Sequence, residues 1–246
     1  MRARVAAATV AGGAIGAYWL PAAATLIPVS ARVVDVATRV RSKHGVLLTF
    51  DDGPHPRGTP SVLAQLGTAG VKAVFFLSGE QALRRPELVR AIVAAGHEIG
   101  VHGYRHQTRL QWSAKLVRDD TRRAIDVIST AAGQVPRLYR PPHGVFSLAG
   151  LRTVRREQLR PLLWTRWGRD WERQATADSI EQRLTTGVRA GDVLLLHDAD
   201  YYAARGCWQN TVAALPAILK AIARSGLEPA RLEVSIPRTA ELSLTI

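Results

Sequence analysis

The chain has 246 residues, 47% of them hydrophobic, which is enough for one large domain or two small ones with a real core and excludes disordered, collagen-like and coiled-coil architectures. Thirty-three lysines and arginines against twenty acidic residues give a net charge of +13, but the cations are spread from end to end, without the basic run or aromatic-studded strand of a specific nucleic-acid binder. The single cysteine, Cys207, rules out an internal disulfide and a CxxC metal site.

From Val5 to Val29 there is no charged residue, with Arg2 and Arg4 before the stretch and Arg32, Arg39, Arg41 and Lys43 after it. It is longer than the ~20 residues a membrane-spanning helix needs. It is only moderately apolar, being rich in alanine and holding Gly12, Gly13, Gly16, Pro21 and Pro28. A membrane anchor and a signal peptide cleaved near Ala22-Ala23-Ala24 or Val29-Ser30-Ala31 both remain open, with a buried or surface-lying amphipathic helix as a third reading. The first two place the rest of the chain at or beyond the cell membrane. Residues 1–43 are therefore expected to be a hydrophobic signal or anchor segment with a basic linker, associating with the membrane through residues 5–29.

Beyond residue 44 strands and helices alternate. Val46 to Phe50 is a short apolar run of the kind a buried parallel strand makes. A helix follows from Thr59, with Pro60 at its first position and a stop at Gly70; then a strand over Val71 to Leu77 and a helix from Pro86 to Ala95, stopped by Gly96. Further strands are expected at Glu98 to Val101, Arg137 to Arg140, Leu162 to Thr165 and Val193 to Leu196. Further helices are expected at Ser113 to Ala132, Ser147 to Leu159, Ala177 to Arg189 and Asn210 to Arg224. Strands separated by helices imply an α/β fold with a mainly parallel sheet, and this many units suggest closure into a barrel over residues 44–246.

In such a fold the reactive groups belong at the carboxyl ends of the strands. Those ends carry Asp51-Asp52, His102 with His106, Arg140, Asp170 and His197. Two imidazoles four residues apart meet on one face if the segment makes a helical turn, a common grip on a divalent metal, although surface histidines give the same spacing by chance. Adjacent carboxylates on a tight Gly53-Pro54 turn are costly unless a cation intervenes; a solvated turn or a helix cap is the alternative. Asp52 with His102 and His106 makes a three-ligand site with positions left for water and substrate.

Five segments occur in the order of the five motifs of polysaccharide deacetylases. They are Thr49-Phe50-Asp51-Asp52-Gly53-Pro54, the pair His102 and His106, Arg140-Pro141-Pro142-His143-Gly144, Asp170-Trp171, and Leu194-Leu195-Leu196-His197-Asp198. Residues 44 to 236 resemble the NodB-homology domain, carbohydrate esterase family 4. The resemblance implies a distorted (β/α) barrel of about seven parallel strands and metal-dependent removal of acetyl groups from N-acetylated sugars. It implies one divalent ion, zinc first, with cobalt, nickel or manganese as alternatives, held by Asp52, His102 and His106. It further implies Asp51 as general base for the metal-bound water, Arg140 holding Asp51 by a charge-assisted hydrogen bond, and His197 as general acid tuned by Asp170. Trp171 and Leu195 would wall the acetyl pocket, and the backbone amide of His143 would face the oxyanion. Amide hydrolysis needs this inventory on its own account: an activated water, a stabilised oxyanion and a proton for the leaving nitrogen.

Three positions depart from the family pattern: Gly103 where Ser or Thr usually follows the first histidine, His143 in place of the usual aromatic, and Glu172 where a proline usually follows Asp170-Trp171. The expected substrate is an amino-sugar polymer of the cell envelope, peptidoglycan or a chitin-like glycan. The rivals are an O-acetyl ester, another linear or cyclic amide, a lipid-linked sugar or, from a different class, a catalytically silent glycan-binding scaffold. No specific nucleic-acid partner is expected. His55, His97, His44 and Cys207 are read as loop, surface or packing groups, and Tyr201, Tyr202 and Trp208 as residues at the active-site face open to sugar or lipid contact.

Overall fold

The computed structural model describes residues 20–25, 28–108, 112–233 and 243–245. The uncharged N-terminal stretch lies outside the described residues at positions 5–19 and 26–27; its described part forms a 3-10 turn, Leu20–Thr25, and enters helix α1, Pro28–Val33. Among the described residues no helix is long and apolar enough to cross a membrane.

Seven parallel strands make the framework: β1 Gly45–Asp51, β2 Val74–Leu77, β3 Glu98–Val101, β4 Leu138–Tyr139, β5 Arg160–Pro161, β6 Arg166–Trp167 and β7 Val193–His197. They pair in the order β5-β4-β3-β2-β1-β7-β6. The two ends of this sheet are neighbours in sequence, joined by residues 162–165 alone, so the sheet must curl until they nearly meet. Here the structure departs from the expected strand at Leu162 to Thr165: those residues are the seam of the barrel between β5 and β6, paired only by an isolated parallel bridge between Leu162 and Ala37. The segment before β1 laces the seam, because Ala37 N–H donates to Pro161 O, Leu163 N–H to Ala37 O, and Val40 N–H to Gly191 O. Val36 and Val40 are buried in the apolar clusters, so the stretch just ahead of β1 is packed against the barrel.

Strand periodicity decides which side chains reach the barrel mouth. Leu47, Val74, Phe76, Leu138 and Val193 form the inner cluster, while Val46, Leu48, Phe50, Phe75 and Ile99 pack outward under the helices. With a period of two, Thr49 and Asp51 fall on the inner face with Leu47, Arg140 with Leu138, and Leu195 and His197 with Val193. Register completes the placement: Asp51 pairs with His197 on one side and Phe76 on the other, and Val101 with Tyr139 sets His102 beside Arg140. Gly100 matters here, since a Cβ on it would lie 2.5 Å from the ring of Phe76.

The outer layer is helical: α2 Gly58–Thr68, α3 Gly79–Arg84, α4 Pro86–Ala94, α5 Ala114–Ala132, α6 Leu148–Arg156, α7 Ala177–Thr185 and α8 Cys207–Arg224. In α5 the buried Val117, Thr121, Ala124, Ile128 and Ala131 recur at three- and four-residue steps; Ser113 caps its start and Gly133, at φ +69°, ends it. Helix α7 stops at Thr185, short of the expected Arg189, before Gly187 at φ +68°. Helix α8 starts at Cys207, three residues early, and α3 was not expected. A short strand β8, Glu228–Pro229, pairs with β1, and β9, Arg231–Glu233, pairs with β10, Ser243–Thr245.

Candidate active site

Arg140 is fully buried, so its guanidinium must find partners for its donors. It donates from Nη1 to Asp51 Oδ1 at 2.7 Å and to Thr49 Oγ1 at 2.8 Å, from Nε to Leu162 O and from Nη2 to Leu163 O, both at 3.0 Å. The last two bonds tie it to the barrel seam, whose carbonyls lack strand partners. Its guanidinium lies 4.0 Å from the centroid of the Phe76 ring, which Gly100 admits. Burial lowers the Arg140 pKa and the Asp51 carboxylate works the other way. Asp51 is thus fixed through Oδ1, while Oδ2 takes no hydrogen bond from Arg140.

Asp52, His102 and His106 offer ligand atoms that lie within 4.8 Å of one another. Their convergence is not helical, as the spacing suggested. Residues 102–106 are a loop in which Gly103 sits at φ +83°, and Asp52 itself is held at φ +76°, in left-handed backbone that aspartate tolerates better than most residues. His102 Nδ1 lies 2.9 Å from Arg140 O, and since a carbonyl only accepts, Nδ1 carries the proton and Nε2 is a bare lone pair. That nitrogen faces Asp52 Oδ1 at 3.3 Å, and so does Nε2 of His106. Asp52 Oδ1 is buried with no hydrogen bond. A buried carboxylate oxygen without a donor, facing ligand nitrogens, is what a cation requires and what a hydrogen-bonded turn would not leave. Burial pushes His106 down to about 3, against the pull of Asp52, so its ring is neutral, as a ligand must be. Burial raises Asp52, and the positive charge that His102, His197 and His106 bring when protonated outweighs it, holding the carboxyl well below the usual range.

Across the mouth, His197 Nδ1 donates to Asp170 Oδ1 at 2.9 Å and Nε2 faces Asp52 Oδ2 at 4.0 Å. Asp170 Oδ2 accepts from His197 N–H at 2.6 Å and from the Thr211 hydroxyl at 2.7 Å, so both oxygens of this fully buried carboxylate are hydrogen-bonded. Burial works against a charged His197, but Asp170, with Asp52 and Asp51 behind it, pushes the imidazole up to about 10. Trp171 sets its edge against the His197 ring at 5.3 Å, and Leu195 is buried in register with Thr49 and Trp167.

Residues 38–161 match the family model for polysaccharide deacetylase. The chain belongs to the polysaccharide deacetylase family. Similar proteins include a chitooligosaccharide deacetylase of Bradyrhizobium sp., 35% identical over 196 residues, 77% of this chain and 89% of that one. A peptidoglycan-N-acetylglucosamine deacetylase of Bacillus cereus is 32% identical over 184 residues, 74% of this chain and 83% of that one. The solved structure of a family 4 carbohydrate esterase from Streptomyces lividans in complex with acetate superposes with a TM-score of 0.70 at 31% identity, covering 82% of this chain and 97% of that one.

In this polysaccharide deacetylase the residues singled out from sequence gather at one mouth of the barrel: Asp51, Asp52, His102, His106, Arg140, Asp170, Trp171, Leu195 and His197. His143 is there too, at φ +57° on the turn after Pro142, its ring edge-on to that of His106 with centroids 4.5 Å apart. Thr49 and Thr211 are supporting residues that sequence reading did not single out. Thr49 lies within the first motif, and its inward parity with Asp51 was the available signal; Thr211, on α8, gave none. His55 is buried and structural: Nδ1 accepts from Gly58 N–H at 2.8 Å at the start of α2, and Nε2 lies 3.3 Å from Asp200. Cys207 is buried, with its thiol pushed up to about 12 by burial. Tyr202, read from sequence as a residue at the active-site face open to sugar or lipid contact, is stacked on His106.

Proposed function

We propose that the protein is a metal-dependent deacetylase that removes N-acetyl groups from amino-sugar residues of a cell-envelope glycan, peptidoglycan or a chitin-like polymer. One observation carries the reading: Asp52 Oδ1, buried without a hydrogen bond, stands 3.3 Å from an imidazole nitrogen of His102 and of His106, between a carboxylate fixed by Arg140 and an imidazole fixed by Asp170. One carboxylate and two imidazoles suit zinc best, with cobalt, nickel and manganese also compatible. A divalent ion there supplies Lewis acidity for the acetamido carbonyl and for water.

The chain's own residues supply the proton movements. Asp51, anchored by Oδ1, takes the proton of the attacking water on Oδ2. His197 holds a proton on Nε2 and gives it to the departing amine, while Asp170 keeps the other ring nitrogen protonated and the ring oriented. The backbone amide of His143 is assigned to the oxyanion, and Trp171 and Leu195 to the walls around the acetyl methyl. Product amine and acetate then account for the atoms of amide and water.

We place the catalytic domain at residues 44–246, with the stretch from Val36 to Val40 ahead of it packed on the barrel, and locate it outside the cytoplasmic membrane by an anchor or signal segment at 5–29, the uncharged stretch bounded by arginines. Two experiments test this. Metal-loaded protein should release acetate from chitooligosaccharides or peptidoglycan fragments and leave free amines, and chelator-stripped protein should not; release only from O-acetylated sugars would overturn the N-deacetylase reading. Fractionation with N-terminal sequencing should find the protein in the membrane or extracytoplasmic fraction, and a cytosolic pool with an intact N-terminus would refute the location.

A further inference from the structure

The two histidines that face Asp52 are held differently. His102 is oriented by its Nδ1 hydrogen bond to Arg140 O, the kind of outer-shell bond that commonly fixes a ligating imidazole. His106 has no hydrogen bond at Nδ1 among the described residues. The loop backbone is tied down, Gly103 O and Tyr104 O accepting from Gly79 N–H and Glu80 N–H and Tyr104 N–H donating to Asp120, but Gly103, at φ +83°, has no side chain with which to brace the His106 ring. Against its ring lies Tyr202, with centroids 4.1 Å apart and planes 9° from parallel, while His143 meets it edge-on and His102 lies tilted at 5.3 Å. Tyr202 is itself pinned. Its hydroxyl donates to Glu80 Oε1 at 2.6 Å, accepts from Gln81 Nε2 at 3.5 Å and lies 3.4 Å from Ser78 Oγ. Its loop is tied down where Tyr201 donates to Pro54 O, Ala204 N–H to Trp171 O, and Gly206 N–H to Asp200.

We infer that Tyr202 is the positioning residue for His106, holding that ring in ligating geometry by aromatic stacking where His102 uses a hydrogen bond. The inference rests on the metal site proposed above. Between two neutral rings such a near-parallel stack is a weak contact, because the two faces carry like partial charge. An imidazole that has given its lone pair to a cation is electron-poor, and the electron-rich face of a phenol then attracts it. The stack therefore favours the metal-loaded state over the empty one and adds to metal affinity.

The test is Co2+ affinity by chelator competition, read with the visible spectrum of the bound ion, on metal-stripped protein and on Tyr202→Phe, Tyr202→Leu, Tyr202→Met and Asp52→Ala. Phenylalanine keeps the ring face and should stay within about threefold of wild type. Leucine and methionine fill the space without a ring face and should bind Co2+ about tenfold or more weakly, the scale of losing an outer-shell partner, with the Tm of the metal-free protein matching that of the phenylalanine variant. Wild-type affinity in the leucine and methionine variants would overturn the inference, as would a phenylalanine variant weakened as much as they are, which would place the effect in the hydroxyl. If Asp52→Ala binds Co2+ as tightly as wild type, the metal site itself is refuted, and this inference with it.

Discussion

Asp170→Asn separates a proton-tuning role from a structural one. In the wild type Asp170 receives three donors: His197 Nδ1–H, His197 N–H and the Thr211 hydroxyl. An asparagine of the same shape carries no charge and can accept on one side only. The wild-type His197 sits at about 10 against an ordinary 6.5, a preference for the protonated ring of about 5 kcal/mol at ~1.4 kcal/mol per pH unit, and Asp170 is the largest contributor acting in that direction. Without it burial is opposed only by Asp52 and Asp51, and the ring falls back toward its ordinary 6.5. At pH 8 a group of pKa 6.5 is only about 3% protonated, so kcat/KM should fall roughly 30-fold there from titration alone, by a further tenfold per pH unit above, and by little at pH 6. The assay is acetate release from a defined chitooligosaccharide across pH 5 to 10. Stability should move in the same sense. A raised imidazole pKa contributes stability that is complete below pH 6.5 and lost as pH rises through 10, and the variant should lack that alkaline decline. Equal loss of activity at pH 6 and pH 8 would refute the reasoning and reduce Asp170 to a scaffold.

Other consequences follow from the same contacts. Arg140→Met leaves the buried Asp51 carboxylate without its countercharge and two seam carbonyls without a donor, and should cost about 3–5 kcal/mol in urea denaturation of the metal-free protein; a loss under about 1 kcal/mol would contradict the pairing. Gly100→Ala drives a methyl into Phe76 and should destabilise by about 1–3 kcal/mol, with turnover falling because Phe76 supports Arg140; an unchanged Tm would show that the ring can yield. Asp198 is fully buried between Gly53 and the Thr59 hydroxyl, and burial, with Asp52 adding to it, pushes its carboxyl up to about 7. A carboxyl raised above its unfolded pKa weighs against folding increasingly from pH 4 to 7. Asp198→Asn should therefore gain stability relative to wild type over that interval and none below it; a pH-independent difference would refute this.

The main features of the site were legible in sequence because its chemistry is concentrated at strand ends. Leu194-Leu195-Leu196-His197 and Leu47-Leu48-Thr49-Phe50-Asp51 read as buried strands, and the polar residue that ends each is the one at the barrel mouth. The seam was not legible. Leu162-Leu163-Trp164-Thr165 is as apolar as any strand, but only its ends bond to neighbouring strands, Leu162 N–H to Tyr139 O and Thr165 N–H to Val193 O, while the rest serves Ala37 and the Arg140 guanidinium, a non-local choice that periodicity does not record. The His102/His106 spacing suggested the right partners by the wrong geometry, because a left-handed Gly103 brings the rings together without a helix. Helix α3 is a six-residue turn, short for a periodic signal, and its tie to the Tyr202 hydroxyl comes from a loop more than a hundred residues away. The stack of Tyr202 on His106 is invisible for the same reason: nothing local distinguishes that tyrosine from Tyr201 beside it.

The most direct measurement is anomalous diffraction from crystals of the chelator-stripped protein soaked in zinc. The account requires one strong peak within bonding distance, about 2.0–2.2 Å, of an Asp52 carboxylate oxygen and of Nε2 of both His102 and His106. Asp52→Asn should weaken it. A zinc-soaked crystal with no peak between those three side chains, in protein that still turns over, would contradict the account at its base.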